Sequence, residues 1–161
     1  MATVYVETSI IGYLTARSGD SIIFQARQQL TRSWWDTRRQ SYELVTSQLV
    51  LDEAGSGDSA AAQERLELLE PIPLLDIEHP QVQPLAERLI QAHLLPEKAS
   101  ADARHVAVST VFGVDYLLTW NCKHIANATL RSRIEQVCRD VGFEPPIICT
   151  PDELVGTDDG S

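Results

Sequence analysis

Val4-Tyr5-Val6-Glu7-Thr8-Ser9 is a short β-prone run that stops at a carboxylate followed by two hydroxyls, and its reading decides the fold. In an open α/β sheet ligands gather at the C-terminal edges of strands, so an acid there is either a solvated turn or part of a site. A second strand-like run, Asp115-Tyr116-Leu117-Leu118-Thr119-Trp120, also ends at a polar oxygen donor, Asn121. Between the two lie Glu53 and Asp102, each at or near the start of a helical pattern. Oxygen-donating side chains at strand ends and helix starts point to a hard-cation site, and such ligands suit Mg²⁺ or Mn²⁺.

Outward from that run, strand-like and helix-like segments alternate, the signature of a parallel α/β sheet. Residues 21–39 read as a helix with Ile22, Phe24, Leu30, Trp34 and Trp35 as apolar positions. Tyr42 to Thr46 is a second strand, and Ser47 is placed to N-cap the short helix carrying Leu49, Val50 and Glu53. Asp58 caps the next helix, Ser59 to Leu69, and Pro71 breaks it before a third strand, Ile72 to Ile77. A helix from Gln81 to Leu94 follows, closed by Pro96. Ser100 begins another, Ala101 to Phe112, with Gly113 at its end. The strand Tyr116 to Leu118, a helix from Thr129 to Val141 and a last strand, Ile147 to Cys149, complete the order. No repeat or linker interrupts it, which predicts one domain over residues 1–155 and a flexible polar tail over residues 156–161.

A chain of 161 residues is long enough to bury a proper core in a single domain. No run approaches the roughly 18 consecutive apolar residues of a membrane span. The N-terminus has neither a basic n-region nor an apolar h-region, so a cytoplasmic protein is expected. Cys122, Cys138 and Cys149 lack CxxC spacing and read as buried free thiols, not a disulfide framework or a zinc site.

The formal net charge of −10 runs against phosphate neutralisation, which usually needs a basic face. Arginines nevertheless cluster, as Arg27, Arg32, Arg38 and Arg39 in one segment and Arg131, Arg133 and Arg139 in another. Local basic patches, a cation held in an acidic pocket, or a basic partner protein would each offset part of the deficit.

Each candidate also has a plainer reading. Glu53 fits a solvated helix position, and Asp102 fits a first turn where a carboxylate favours the helix dipole. Asn121 fits a turn after a strand. Thr8 and Ser9 fit either bonds to a carboxylate or phosphate, or a local cap. His105, one turn after Asp102, reads first as a hydrogen-bonded structural histidine. Lys123 and His124 read as surface groups, and Trp34 and Trp35 as packing. P-loop, GxGxxG, GxSxG and HExxH patterns are absent, so those classes are unsupported.

Taken in order, four stretches resemble the PIN-domain family, whose largest branch is the VapC-type toxins of bacterial toxin–antitoxin pairs. They are Val4-Tyr5-Val6-Glu7-Thr8-Ser9, Ser47 to Glu53, Ser100-Ala101-Asp102-Ala103-Arg104-His105-Val106-Ala107, and Tyr116 to His124. The likeness runs from Val4 to about Leu154. It implies a three-layer α/β/α sandwich around a central, mainly parallel sheet, and a Mg²⁺- or Mn²⁺-dependent endoribonuclease that hydrolyses RNA phosphodiester bonds. It also implies frequent homodimerisation and, in the toxin branch, a small antitoxin inserted near the acidic pocket.

Carried over position by position, the family's four acids fall on Glu7, Glu53, Asp102 and Asn121, and its hydroxyl near the first acid falls on Ser9. Glu7, Glu53 and Asp102 are then the metal ligands, with Asn121 an auxiliary ligand or water positioner. Two departures matter. Glu7 stands where Asp is usual and shifts the carboxylate by about an ångström, enough to disturb metal geometry. Asn121 stands where Asp is usual and brings no charge. Asp52 and Asp115 are near in sequence, but periodicity points them elsewhere. These departures and the acidic total motivate a second reading, a weakly catalytic or non-catalytic PIN-like module that binds RNA or protein. A flavodoxin-like small-ligand domain ranks last, for want of a phosphate loop.

Overall fold

The computed structural model describes residues 1–92, 96 and 99–156. β1 (Thr3–Val6) is followed by α1 (Thr8–Thr15), α2 (Ile22–Thr37), a 3-10 turn (Arg39–Ser41), β2 (Glu43–Ser47), α3 (Gln48–Ala54) and α4 (Ser59–Leu69). Then come β3 (Leu74–Leu75), α5 (Val82–Gln91), α6 (Ser100–Val111), β4 (Tyr116–Leu118), α7 (Arg131–Asp140) and β5 (Ile147–Cys149).

The five strands form one parallel sheet in the order β3-β2-β1-β4-β5. The opening run is therefore its centre. Val4, Tyr5 and Val6 are fully buried, as a parallel strand covered on both faces requires. The chain first steps outward through β2 to β3, then returns across β1 to β4 and β5. Right-handed crossovers in opposite directions put their helices on opposite faces. Accordingly α1 packs with α2, α3 and α4, while α5 packs with α6 and α7. The result is the expected three-layer α/β/α sandwich. The reversal of direction beside β1 is the switch point at which open sheets leave a crevice.

Several boundaries differ from the sequence reading for local reasons. The third strand shrinks from Ile72–Ile77 to Leu74–Leu75 at the sheet edge, where Pro71 and Pro73 have no N–H to donate to a ladder. The last helix starts at Arg131 instead of Thr129. Asn127 Oδ1 accepts from both the Thr129 amide and its hydroxyl, an Asx turn that delays the helix. Ser47 holds the N-cap position of α3 but makes no side-chain cap bond, because its hydroxyl is 2.7 Å from the Tyr5 hydroxyl. Asp58 caps α4 as expected, accepting from Ala61 N at 3.1 Å. Leu94, the expected end of α5, and residues 157–161 of the expected tail lie outside the described residues.

Candidate functional site

Parallel pairing builds the first part of the site. Val6 registers with Leu118, and the Glu7 amide donates to the Leu118 carbonyl at 3.2 Å, so Glu7 lies beside Thr119 at the carboxyl edge. Glu7 is also the N-cap of α1, a role open to Ser9 on sequence alone, and its Oε2 accepts from Ser9 N at 3.1 Å. Its Oε1 accepts the hydroxyls of Ser9 and Thr119, each at 2.5 Å. At 5% exposure the carboxylate has little water, and these donors take its place. Ser9 Oγ in turn accepts from Trp120 N at 2.8 Å, tying α1 to the end of β4.

The second part comes from α3 and α6. Glu53 Oε1 accepts from His105 Nε2 at 2.6 Å and from the Thr8 hydroxyl at 2.7 Å. His105 Nδ1 lies 2.7 Å from the Tyr5 hydroxyl, which continues to Ser47. A carboxylate can only accept, so Nε2 carries hydrogen. Nδ1 meets the Tyr5 hydroxyl, accepting from it in a neutral ring and donating to it in a charged one, and Tyr5 meets Ser47 in turn. Burial pushes the Glu53 carboxyl up, but the bond and charge of His105, with the Thr8 hydroxyl, outweigh it and hold the group below its ordinary range. Burial also drives the Tyr5 phenol well above its usual range.

The third part is Asp102 in the first turn of α6. Asn121 Nδ2 donates to its Oδ1 at 3.0 Å, and His124 Nδ1 lies 2.9 Å from its Oδ2. Asn121 Oδ1 accepts from the His124 amide at 3.1 Å, and Asn121 N donates to Thr119 Oγ1 at 2.9 Å. Thr119 therefore links this trio to Glu7.

Among the sequence candidates, the structure brings Glu7 and Glu53 together, and adds His105. One ligand atom from each lies within 4.8 Å of the others. Asp102, Asn121 and Ser9 join the same hydrogen-bonded edge, with Asp102 outside that trio. Two free-oxygen directions matter for a cation. Among the described residues Glu53 Oε2 accepts no hydrogen bond, and Glu7 Oε2 accepts only one, so hard oxygen donors remain at the crevice.

Asp115 instead accepts from Thr3 N at 2.8 Å at the far end of β1, and Asp52 is bonded by Gln48 within α3. Neither supplements the site. Sequence reasoning passed over Thr119 and Tyr5. Thr119 was findable, because a polar residue ending an apolar strand must face whatever ends the paired strand.

The surroundings are mixed in charge. Arg27 lies over the Trp120 ring at 5.2 Å, a cation at the end of β4. Arg131 and Arg139 are engaged by Glu153 and Glu144. Trp34 and Trp35 are core residues, as expected.

No protein-family model matches this chain, and no curated protein matches it. A chain in the crystal structure of VapBC2 from Rickettsia felis, bound to a DNA fragment from their promoter, has a similar fold. The two share a TM-score of 0.54 and 15% identity over 92% of this chain and 98% of that one. At that identity the likeness establishes the architecture. No helix among the described residues is long and apolar enough to cross a membrane.

Proposed function

We propose that this chain is a divalent-cation-dependent endoribonuclease of the VapC toxin type, a single PIN-like domain over residues 1–155 acting in the cytoplasm. The observation that carries the reading is the convergence of Glu7 and Glu53 beside His105 at the switch point of the sheet. Asp102 is bound into the same edge through Asn121.

The donor set fits Mg²⁺ or Mn²⁺, since carboxylate oxygens predominate and no thiolate approaches. Glu7, Glu53 and Asp102 are the residues proposed to hold the ion. When bound, such an ion polarises a phosphate oxygen and lowers the pKa of an attacking water. The chain's own residues prepare the place. Ser9 and Thr119 fix Glu7, Thr8 and His105 fix Glu53, and Asn121 and His124 fix Asp102. Arg27, spread over Trp120, offers the approaching RNA a cation that the chain's net charge of −10 otherwise denies it. The VapBC2 structure of similar fold supports an antitoxin protein as partner, and a homodimer is the proposed working form.

One feature favours the second reading, an RNA- or protein-binding module with little catalysis. Glu7 spends its charge on three donors, and Asn121 brings none. Incubation of purified protein with a structured RNA and Mn²⁺ separates the two. Asp102→Ala and Glu53→Gln are each expected to lower cleavage at least about 100-fold, since even supporting groups of metal sites act on a 10–100-fold scale. Equal background cleavage in wild type and both variants would leave the binding module.

A further inference from the structure

Glu53 is held through one oxygen and presents the other. Oε1 takes both the His105 Nε2–H at 2.6 Å and the Thr8 hydroxyl at 2.7 Å. Behind His105 stands a second tier, the Tyr5 hydroxyl at 2.7 Å and then Ser47 at 2.7 Å. Tyr5, Ser47 and His105 are fully buried. They come from β1, the end of β2 and α6, so three elements of the fold stand in line behind one solvent-accessible carboxylate.

Packing alone does not call for this. Buried polar groups need partners, and an apolar trio of equal volume meets the same need at no desolvation cost. Ser47 even forgoes the cap of α3, which its position would otherwise let it supply. What the chain accomplishes is to fix the Nε2–H direction, and with it the rotation of the Glu53 carboxylate. Imidazole does not itself face the crevice as a ligand in this arrangement, because its Nε2 hydrogen lies on Glu53 and its Nδ1 is taken by Tyr5.

We propose that His105 is a positioning residue for the cation site, locking Glu53 with Oε2 presented, and that Tyr5 and Ser47 lock His105. This inference rests on the cation reading of Glu7, Glu53 and Asp102. It adds to that reading a residue that acts through a ligand without being one.

The test is calorimetric titration of the whole protein with Mn²⁺ alone, without RNA. It compares wild type, Glu53→Gln, His105→Leu, His105→Gln and Tyr5→Phe. His105→Leu is expected to weaken Mn²⁺ binding about 10–100-fold. His105→Gln, which returns an N–H near the Nε2 position, is expected to recover most of that loss. Tyr5→Phe keeps the ring and removes only the lock, so a smaller loss is expected, with circular dichroism unchanged. It carries the test if His105→Leu does not fold. Undiminished affinity in His105→Leu, or in Tyr5→Phe where His105→Leu does not fold, alongside loss in Glu53→Gln overturns the inference and leaves the cation reading standing. No Mn²⁺ binding by wild type, or full binding by Glu53→Gln, overturns both. Pulsed electron paramagnetic resonance of the Mn²⁺-loaded protein supplies the last arm. A directly bound nitrogen that disappears in His105→Gln makes His105 a ligand and overturns its indirect role.

Discussion

At the scale of single residues, Thr119 shows what the site asks of its supports. Its hydroxyl donates to Glu7 Oε1 and accepts from Asn121 N, so it serves a buried charge and orders the next turn together. Thr119→Val keeps the shape and removes both bonds. The expected loss is about 1–3 kcal/mol, the scale for a buried group left short of a partner. Urea unfolding of the metal-free protein measures it, with Thr119→Ser expected to stay close to wild type. A Thr119→Val midpoint equal to wild type would show that water replaces the hydroxyl without cost. Glu7 at a strand end and Asp102 in a first helical turn were legible as candidates because such places have recognisable local patterns. Glu53 instead falls in the last turn of α3 and not near a helix start as its pattern suggested. The hydroxyl supports were not legible, because Tyr5 and Ser47 are 42 positions apart, Glu7 and Thr119 112 apart. Only strand pairing brings such residues together; His105 is the hydrogen-bonded buried histidine that the sequence suggests, but which partners it bonds is set by the fold.

At the scale of elements, local chemistry decided which boundaries could be read. β4 and β5 appear where apolar runs predict them, since buried parallel strands need no other signal. The third strand is shorter than its apolar run suggests, because at a sheet edge the prolines win over the apolar residues beside them. Helix starts followed the caps that exist. Asp58 provides one for α4, and Asp58→Ala is expected to cost about 1 kcal/mol by chemical unfolding. An unchanged midpoint would mean that the 55–57 turn, rather than the cap, sets the start of that helix. Gly113, which ends the α6 segment, has φ +67°, and an added Cβ meets nothing within 4 Å. Gly113→Ala therefore isolates backbone strain from packing, with an expected cost of about 1–2 kcal/mol. No loss there would mean that the turn relaxes to a negative φ.

For the whole molecule, the pattern of buried acids sets a limit on alkaline stability. Burial drives the phenol of Tyr5 up, raises the Cys138 thiol, and pushes the Cys149 thiol to about 12. The folded chain thus keeps protons that the unfolded chain releases near the ordinary thiol value of 9.0. Above that pH the folded state binds more protons, so stability falls as pH rises. For Cys149 the contribution is complete below pH 9 and is lost as pH climbs toward 12. Glu53 works in the opposite sense, its lowered value favouring the folded state until pH falls through the folded carboxyl's range. Unfolding free energies measured under reducing conditions from pH 8 upward are expected to decline, each buried thiol adding a slope of about 1.4 kcal/mol per pH unit between its two values. Cys149→Ala is expected to be less stable at pH 8 but to decline less steeply above it. An equal alkaline slope in Cys149→Ala and wild type would mean that β5 opens locally and lets the thiol ionise without global unfolding.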